Sequence, residues 1–293
     1  MNMNPNGKSR FLFFVCRDSP MSPVPTIFSR RRAWVTHSLI AICLAFCGAP
    51  RAASAPELKT PLPPPQEYVD YRQPPRQYVT THHGKWTILV EEQLETDAPA
   101  LAKQAMARLA RKLDEALKAL PEPSRATLQM LRIFLMYGPQ AKGGGRDNGL
   151  DYISKKEVDY YKQLDPRWAS GVIVYCAGNY AQISEFWALK ALVHEFAHAH
   201  QLEQWPEDQP DILGAWQNAM KLRLYHGVKD DQGNTLDSAY AATNQLEYFA
   251  ELSCMYFVGC NYQPFDRAEL KAYDPVGYAM IEKMWGLGRP LRK

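Results

Sequence analysis

Three observations predict an α+β fold, with a small mixed sheet packed on one central helix and a helical C-terminal half. Short β-prone runs at Trp86 to Val90, Leu131 to Tyr137 and Gly171 to Tyr175 alternate with helical periodicity. From Ser184 onward, helix start and stop signals follow one another with polar loops between them. At the centre of the chain, Ser184 to Trp205 contains His194-Glu195-Phe196-Ala197-His198-Ala199-His200, an H-E-x-x-H pattern.

With 293 residues and 46% hydrophobic content the chain has ample material for a packed core. Seven Lys/Arg and one Asp lie in residues 1 to 55, which leaves 27 basic against 30 acidic residues in the rest. The body is therefore mildly acidic and carries no basic patch suited to nucleic acid. Arg30, Arg31 and Arg32 precede an apolar run from Leu39 to Ala49 and then Ala53-Ser54-Ala55, the layout of a secretory signal peptide, so residues 1 to 55 read as a leader and the protein as exported, periplasmic or extracellular. The apolar run is short for a membrane span, which disfavours a retained anchor. The twenty residues before Met21 lengthen the leader and suggest Met21 as the true start. Of the six cysteines, Cys176, Cys254 and Cys260 lie beyond the leader; Cys254 and Cys260 could pair in an oxidising compartment, and none has CxxC spacing.

Residues 56 to 80 hold seven prolines with Tyr68, Tyr71 and Tyr78 among them, a composition that favours an extended linker or an arm packed on the folded part, which is expected to span 81 to 293. Trp86 to Val90 is the first strand. Thr96-Asp97-Ala98-Pro99 signals a helix start, and Leu101, Met106, Leu109, Leu113, Leu117 and Leu120 recur at helical spacing until Pro121 and Pro123 end the pattern. Leu131 to Tyr137 resumes as a strand. The loop from Gln140 to Gly149 carries Gly143, Gly144 and Gly145, but Arg146-Asp147-Asn148 follows where a phosphate loop needs Gly-Lys-Ser/Thr at a helix start. It reads as flexible cover. Gly171 to Tyr175 is a β-branched strand, either an ordinary sheet member or an edge whose Val172 and Val174 flank an extended peptide.

Ser184 can cap the helix bearing the motif, and Leu189, Leu192, Val193 and Phe196 give it an apolar side. Histidines four apart share one helical face, so His194 and His198 can grip one ion, with Glu195 beside them to take a proton from water. His200 falls off that face and is expected at the surface or behind the ligands. A catalytic zinc site takes a third protein ligand and leaves one position open. Gln201 and Gln204 stand where the metzincin pattern needs Gly and His, and only His226 remains downstream, so a carboxylate is the better candidate. After a helix from about Ile212 to Tyr225, Thr243 or Asn244 caps a segment placing Glu247 and Glu251 on one face. One can ligate while the other orients a ligand histidine. Asp266-Arg267-Ala268-Glu269 and Asp274-Pro275 start two closing helices.

Ser238 to Glu251, with Tyr240, Asn244, Glu247, Phe249 and Glu251, resembles the matching stretch of the catalytic domain of anthrax toxin lethal factor and its relatives among the gluzincin metallopeptidases. His194 to Ala199 is similar to their zinc helix. The resemblance covers roughly residues 165 to 285 and does not extend to the toxin's other domains or its substrate groove. Small secreted zinc peptidases with the same paired motifs look closer in layout. It implies a zincin-like domain holding one Zn2+ on His194, His198 and Glu247, with Glu195 as general base, Tyr240 as hydroxyl donor to the oxyanion and Glu251 behind the ligands. The expected activity is hydrolysis of a peptide or protein substrate. A zinc-stabilised, non-hydrolytic peptide- or protein-binding module is the alternative, disfavoured because a structural site needs no general base.

Overall fold

The computed structural model describes residues 69–287. The leader, the start at Met21, residues 56–68 of the arm and the basic tail from Arg289 lie outside the described residues.

Five strands form one mixed sheet: β1 (Tyr78–His83), β2 (Trp86–Glu91), β3 (Arg132–Leu135), β4 (Leu150–Ile153) and β5 (Gly171–Val174), in spatial order β1-β2-β3-β5-β4. β2, β3 and β5 run parallel, and β1 and β4 close the two edges antiparallel. Trp86, Ile88 and Val90 alternate toward one face, as the period of two requires, and Trp86 stacks on Phe196 at 5.3 Å. After a short α1 (Glu92–Asp97), the leucine-striped helix α2 (Pro99–Ala119) makes the crossover that parallel neighbours demand. Its proline sits in the first turn, where no amide is missed, and Leu109 and Leu113 are fully buried, each contributing about 1.5–3 kcal/mol. The prolines expected only to end it also open α3 (Glu122–Leu128), because a proline in a first turn is tolerated. A capping box of Ser154 and Glu157 starts the short α4 (Lys155–Tyr160).

The second face of the sheet is covered by Tyr71, Val158, Leu164 and Trp168 packed on Phe134, Ile153 and Ile173. Tyr71 lies 4.6 Å from Trp168, and Trp168 donates its ring N–H to the Tyr78 hydroxyl at 3.1 Å. Residues 69–80 are thus part of the folded domain, whose first strand begins three residues before the expected boundary. The glycine loop is tied down: buried Arg76, ion-paired with Glu91, donates to the Gly144 carbonyl at 2.6 Å, and a Cβ on Gly145 would meet the Gly138 carbonyl at 2.5 Å.

Beyond the one-and-a-half-turn α5 (Ala177–Gln182) runs α6 (Glu185–Gln204), capped by the Ser184 hydroxyl accepting from the Trp187 amide. It is buried nearly all round, as a central helix must be. His200 is not at the surface: its ring stacks on Trp285 at 4.0 Å and donates to the Met284 carbonyl, and burial pushes its pKa down to about 4, so it is a neutral core histidine. α7 (Pro210–Lys221) ends earlier than its pattern suggests, with Arg223 and Tyr225 at positive φ. A small hairpin, β6 (Val228–Lys229) and β7 (Thr235–Leu236), turns on the polar loop. α8 (Gln245–Phe257) packs on α6, and α9 (Arg267–Tyr273) and α10 (Pro275–Met284) close the core. Cys176, Cys254 and Cys260 are all free thiols, so the pairing considered for Cys254 and Cys260 is not formed.

Asp274 locks α10 to α8. Wholly buried, it accepts from the Gly277 amide (2.8 Å), the Tyr225 hydroxyl (2.9 Å) and the Tyr248 hydroxyl (2.6 Å). Residue 277 must be glycine, because a Cβ there would collide with the Tyr248 hydroxyl and Leu252. Asp274→Ala, which orphans two buried hydroxyls and a helix cap, is expected to lower stability by about 3–5 kcal/mol. Chemical denaturation checks it; a loss below about 1 kcal/mol would remove this lock from the account.

Candidate metal centre

Helix geometry places His194 and His198 one turn apart on α6, ring centroids 4.7 Å apart and nearly perpendicular. Glu247 comes from the first turn of α8, where the Asn244 side chain accepts from the amides of Leu246 and Glu247 at 2.9 Å each and fixes where the helix begins. The three side chains converge. His194 Nε2 lies 3.1 Å from Glu247 Oε2 and 3.1 Å from His198 Nε2, and His198 Nε2 lies 3.3 Å from Glu247 Oε2. Two ring nitrogens and a carboxylate oxygen at such separations repel unless a cation, proton or metal, is shared among them. Ligands at 2.0–2.1 Å from a tetrahedral ion stand about 3.3–3.4 Å from one another, so the triangle approximates one face of that tetrahedron. His194 is almost fully buried, while His198 and Glu247 keep side-chain exposures of 12% and 19%, so solvent reaches the cluster from their side. The residues fit a metal ion.

Behind His194 lies Glu251, with no exposed surface. Its Oε1 is 2.9 Å from His194 Nδ1, and the buried ammonium of Lys190 meets its two oxygens at 2.8 and 3.0 Å. The Cys260 thiol donates at 3.4 Å. A carboxylate offers about four acceptor positions, so Glu251 has none left for an ion. Burial opposes its charge, but Lys190 and His194 hold its carboxyl well below the usual carboxylate range. Burial likewise opposes charge on His194, and hydrogen bonds with Cys254, Glu247 and Glu251 overcome it and raise its pKa. His194, Glu251 and Cys254 form a second potential trio. The Lys190 ammonium already supplies that pocket's cation, which leaves His194, His198 and Glu247 as the better site.

Glu195 points to the sheet. Its Oε2 accepts from the Tyr152 amide of β4 at 2.6 Å, and burial pushes its carboxyl up to about 7 against the opposing pull of His194 and His198. The Tyr152 hydroxyl reaches Glu203, two turns further along α6, so the strand is strapped to the helix at two points. Tyr240 sits on a single turn, Tyr240–Ala242, with its ring 5.7 Å from that of His194. Burial and the nearby carboxylates of Glu247 and Glu195 raise its hydroxyl pKa, so the proton stays on.

His194, Glu195, His198, Tyr240, Glu247 and Glu251 are therefore brought together. Val172 and Val174 are not: β5 lies between β3 and β4, with both valines buried in the main core, because β4 covers its outer side. The sheet edge beside the cluster is β4, whose Leu150-Asp151-Tyr152-Ile153 lacks the β-branched run that marks β5. Lys190 also escaped notice, although a lysine one turn before His194 on an otherwise apolar face was a readable signal; Tyr152 and Tyr262 offered none. No known family model, curated protein or solved structure matches the chain.

Removing Glu247 should abolish stoichiometric metal binding, whereas Glu251→Ala, which acts through His194, should weaken it about 10–100-fold. Chelator competition on the two purified variants checks the order, and the reverse order would exchange the two roles. Lys190→Met should cost about 3–5 kcal/mol of stability, since it strands a buried carboxylate.

Proposed function

We propose that the chain is an exported, zincin-like zinc metallopeptidase that hydrolyses peptide bonds, with His194, His198 and Glu247 holding one Zn2+. The observation that carries the reading is that a three-donor cluster of tetrahedral dimensions stands directly beside a buried glutamate fixed to a sheet edge. Two imidazoles and one carboxylate are a common catalytic zinc set, and three ligands leave one corner for water or substrate. Charge supports a divalent ion as well. With neutral imidazoles, the carboxylates of Glu247 and Glu251 against the Lys190 ammonium leave one negative charge, and Glu195 adds a second when it ionises, which a dication balances.

A bound zinc ion supplies Lewis acidity toward a carbonyl and toward water. Glu195 takes a proton from the attacking water and passes it to the leaving amine, and a carboxyl raised by burial suits both transfers. The amide of Tyr152 fixes one Glu195 oxygen and leaves the other for this work. Tyr240 keeps its proton and donates to the developing oxyanion. The outer edge of β4, whose Tyr152 amide is held by Glu195, is the sheet edge on which an extended peptide would pair beside the cluster, in place of Val172 and Val174. Export rests on the leader pattern in residues 1 to 55; among the described residues no helix is long and apolar enough to cross a membrane.

Glu195→Gln separates binding from chemistry. It should retain one zinc per chain by elemental analysis and lose cleavage of a peptide library by about 10²–10⁴-fold. Undiminished cleavage by this variant would refute the mechanism, and an inert wild-type protein that still binds one zinc would favour the binding-module alternative.

A further inference from the structure

The turn that presents Tyr240 has its own support, and that support leads back to the metal centre. Tyr240–Ala242 is a single 3-10 turn, too short to satisfy its own leading amides. The Thr243 amide closes the turn on the Tyr240 carbonyl at 3.0 Å, and the Ala239 amide is anchored on the Tyr225 carbonyl at 2.7 Å. The Ala241 amide, directly after Tyr240, donates to the hydroxyl of Tyr262 at 3.0 Å in a buried contact. Tyr262 is 3% exposed, and its ring lies 5.9 Å from the Lys190 ammonium that pairs with Glu251, the carboxylate 2.9 Å from His194 Nδ1. One side chain therefore accepts from the turn and packs beside the lysine that neutralises the residue orienting a ligand histidine.

We propose that Tyr262 is a positioning residue, which sets the Tyr240 hydroxyl relative to His194 by holding the Ala241 amide of the Tyr240 turn on one buried hydroxyl. The inference deepens the peptidase reading and rests on it for its kinetic consequences. Its structural content stands independently: moving the Tyr262 hydroxyl moves Tyr240. A displacement of an oxyanion donor by a fraction of an ångström lowers turnover more than it lowers ground-state binding. Glu251 keeps Lys190, His194 and Cys260 when the Tyr262 hydroxyl is removed, so metal affinity is not the quantity that suffers.

The experiment compares the wild type, Tyr240→Phe, Tyr262→Phe and the double variant, each labelled with 3-fluorotyrosine and loaded with one equivalent of Zn2+. Fluorine NMR, with the Tyr240 resonance assigned by its loss in Tyr240→Phe, is expected to show that resonance shifted or broadened in Tyr262→Phe. An unmoved Tyr240 resonance overturns the proposal whether or not the protein cleaves peptides. Zinc affinity by chelator competition should stay within about threefold, while kcat falls about tenfold with little change in KM. In the Tyr240→Phe background the second substitution should have no further effect on kcat; losses that multiply independently would make Tyr262 merely structural and overturn the coupling. If the Tyr240 resonance moves but the wild type hydrolyses nothing, the positional coupling stands and the peptidase reading fails. Should Tyr262→Phe not fold, hydrogen exchange in the wild type decides: the Ala241 amide must be protected, and fast exchange at that amide overturns the proposal.

Discussion

Glu251 is a carboxylate with no exposed surface, set between the two helices that carry the candidate ligands. An ion buried in that way costs several kcal/mol unless it is paired and hydrogen-bonded, and breaking such a pair costs about as much again. The compensation comes from three donors: Lys190 and His194 on α6, and Cys260 beyond the end of α8. Because the donors sit on separate parts of the chain, α6 and α8 cannot slide past each other without leaving a charge bare. The spacing of His194, His198 and Glu247 inherits that rigidity.

The sheet fixes the other side of the cluster. β4 is held in register by β5, with Tyr152 opposite Val172, and the Tyr152 amide points away from the sheet toward Glu195. Its hydroxyl reaches Glu203 on the same helix. The edge strand thus bridges two points of α6 and sets where the Glu195 carboxylate stands relative to His194. A buried α6 would otherwise present Glu195 to apolar surroundings with nothing to accept from. The proposed base and the proposed peptide-binding edge are parts of a single contact.

The parts legible in the sequence were those carried by spacing along one element. His194 and His198 at four residues, Glu247 and Glu251 at four, the Ser184 and Asn244 caps and the leucine stripe of α2 all follow from helix periodicity and end chemistry. What was illegible depended on pairing between distant segments. Which strand lies at the edge is a matter of order in space, and the short run Leu150–Ile153 gives no sign that it covers Gly171–Val174. His200 was assigned by its angle on the helix, but α6 is enclosed on every side, so being off the ligand face placed it in a second layer of core against Trp285. Tyr262 reaches Ala241 across 21 residues, and no local pattern announces such a bond.

Glu247 and Glu251 show how one residue type acquires two roles from one turn of helix. Glu247 lies in the first turn of α8, partly exposed, where the helix N-terminus favours negative charge and the ring nitrogens of His194 and His198 are its nearest partners. Burial opposes its ionisation, yet the imidazoles draw its carboxyl well below the usual range, so its charge depends on what those imidazoles hold between them. Glu251, one turn deeper, is neutralised by a lysine buried in the core. A carboxylate satisfied in full by protein donors is a scaffold; one whose oxygen shares a corner with two ring nitrogens is available to an ion. The difference between them is set by Lys190, and placing that ammonium near Glu247 instead would fill the cluster with a charge of the protein's own.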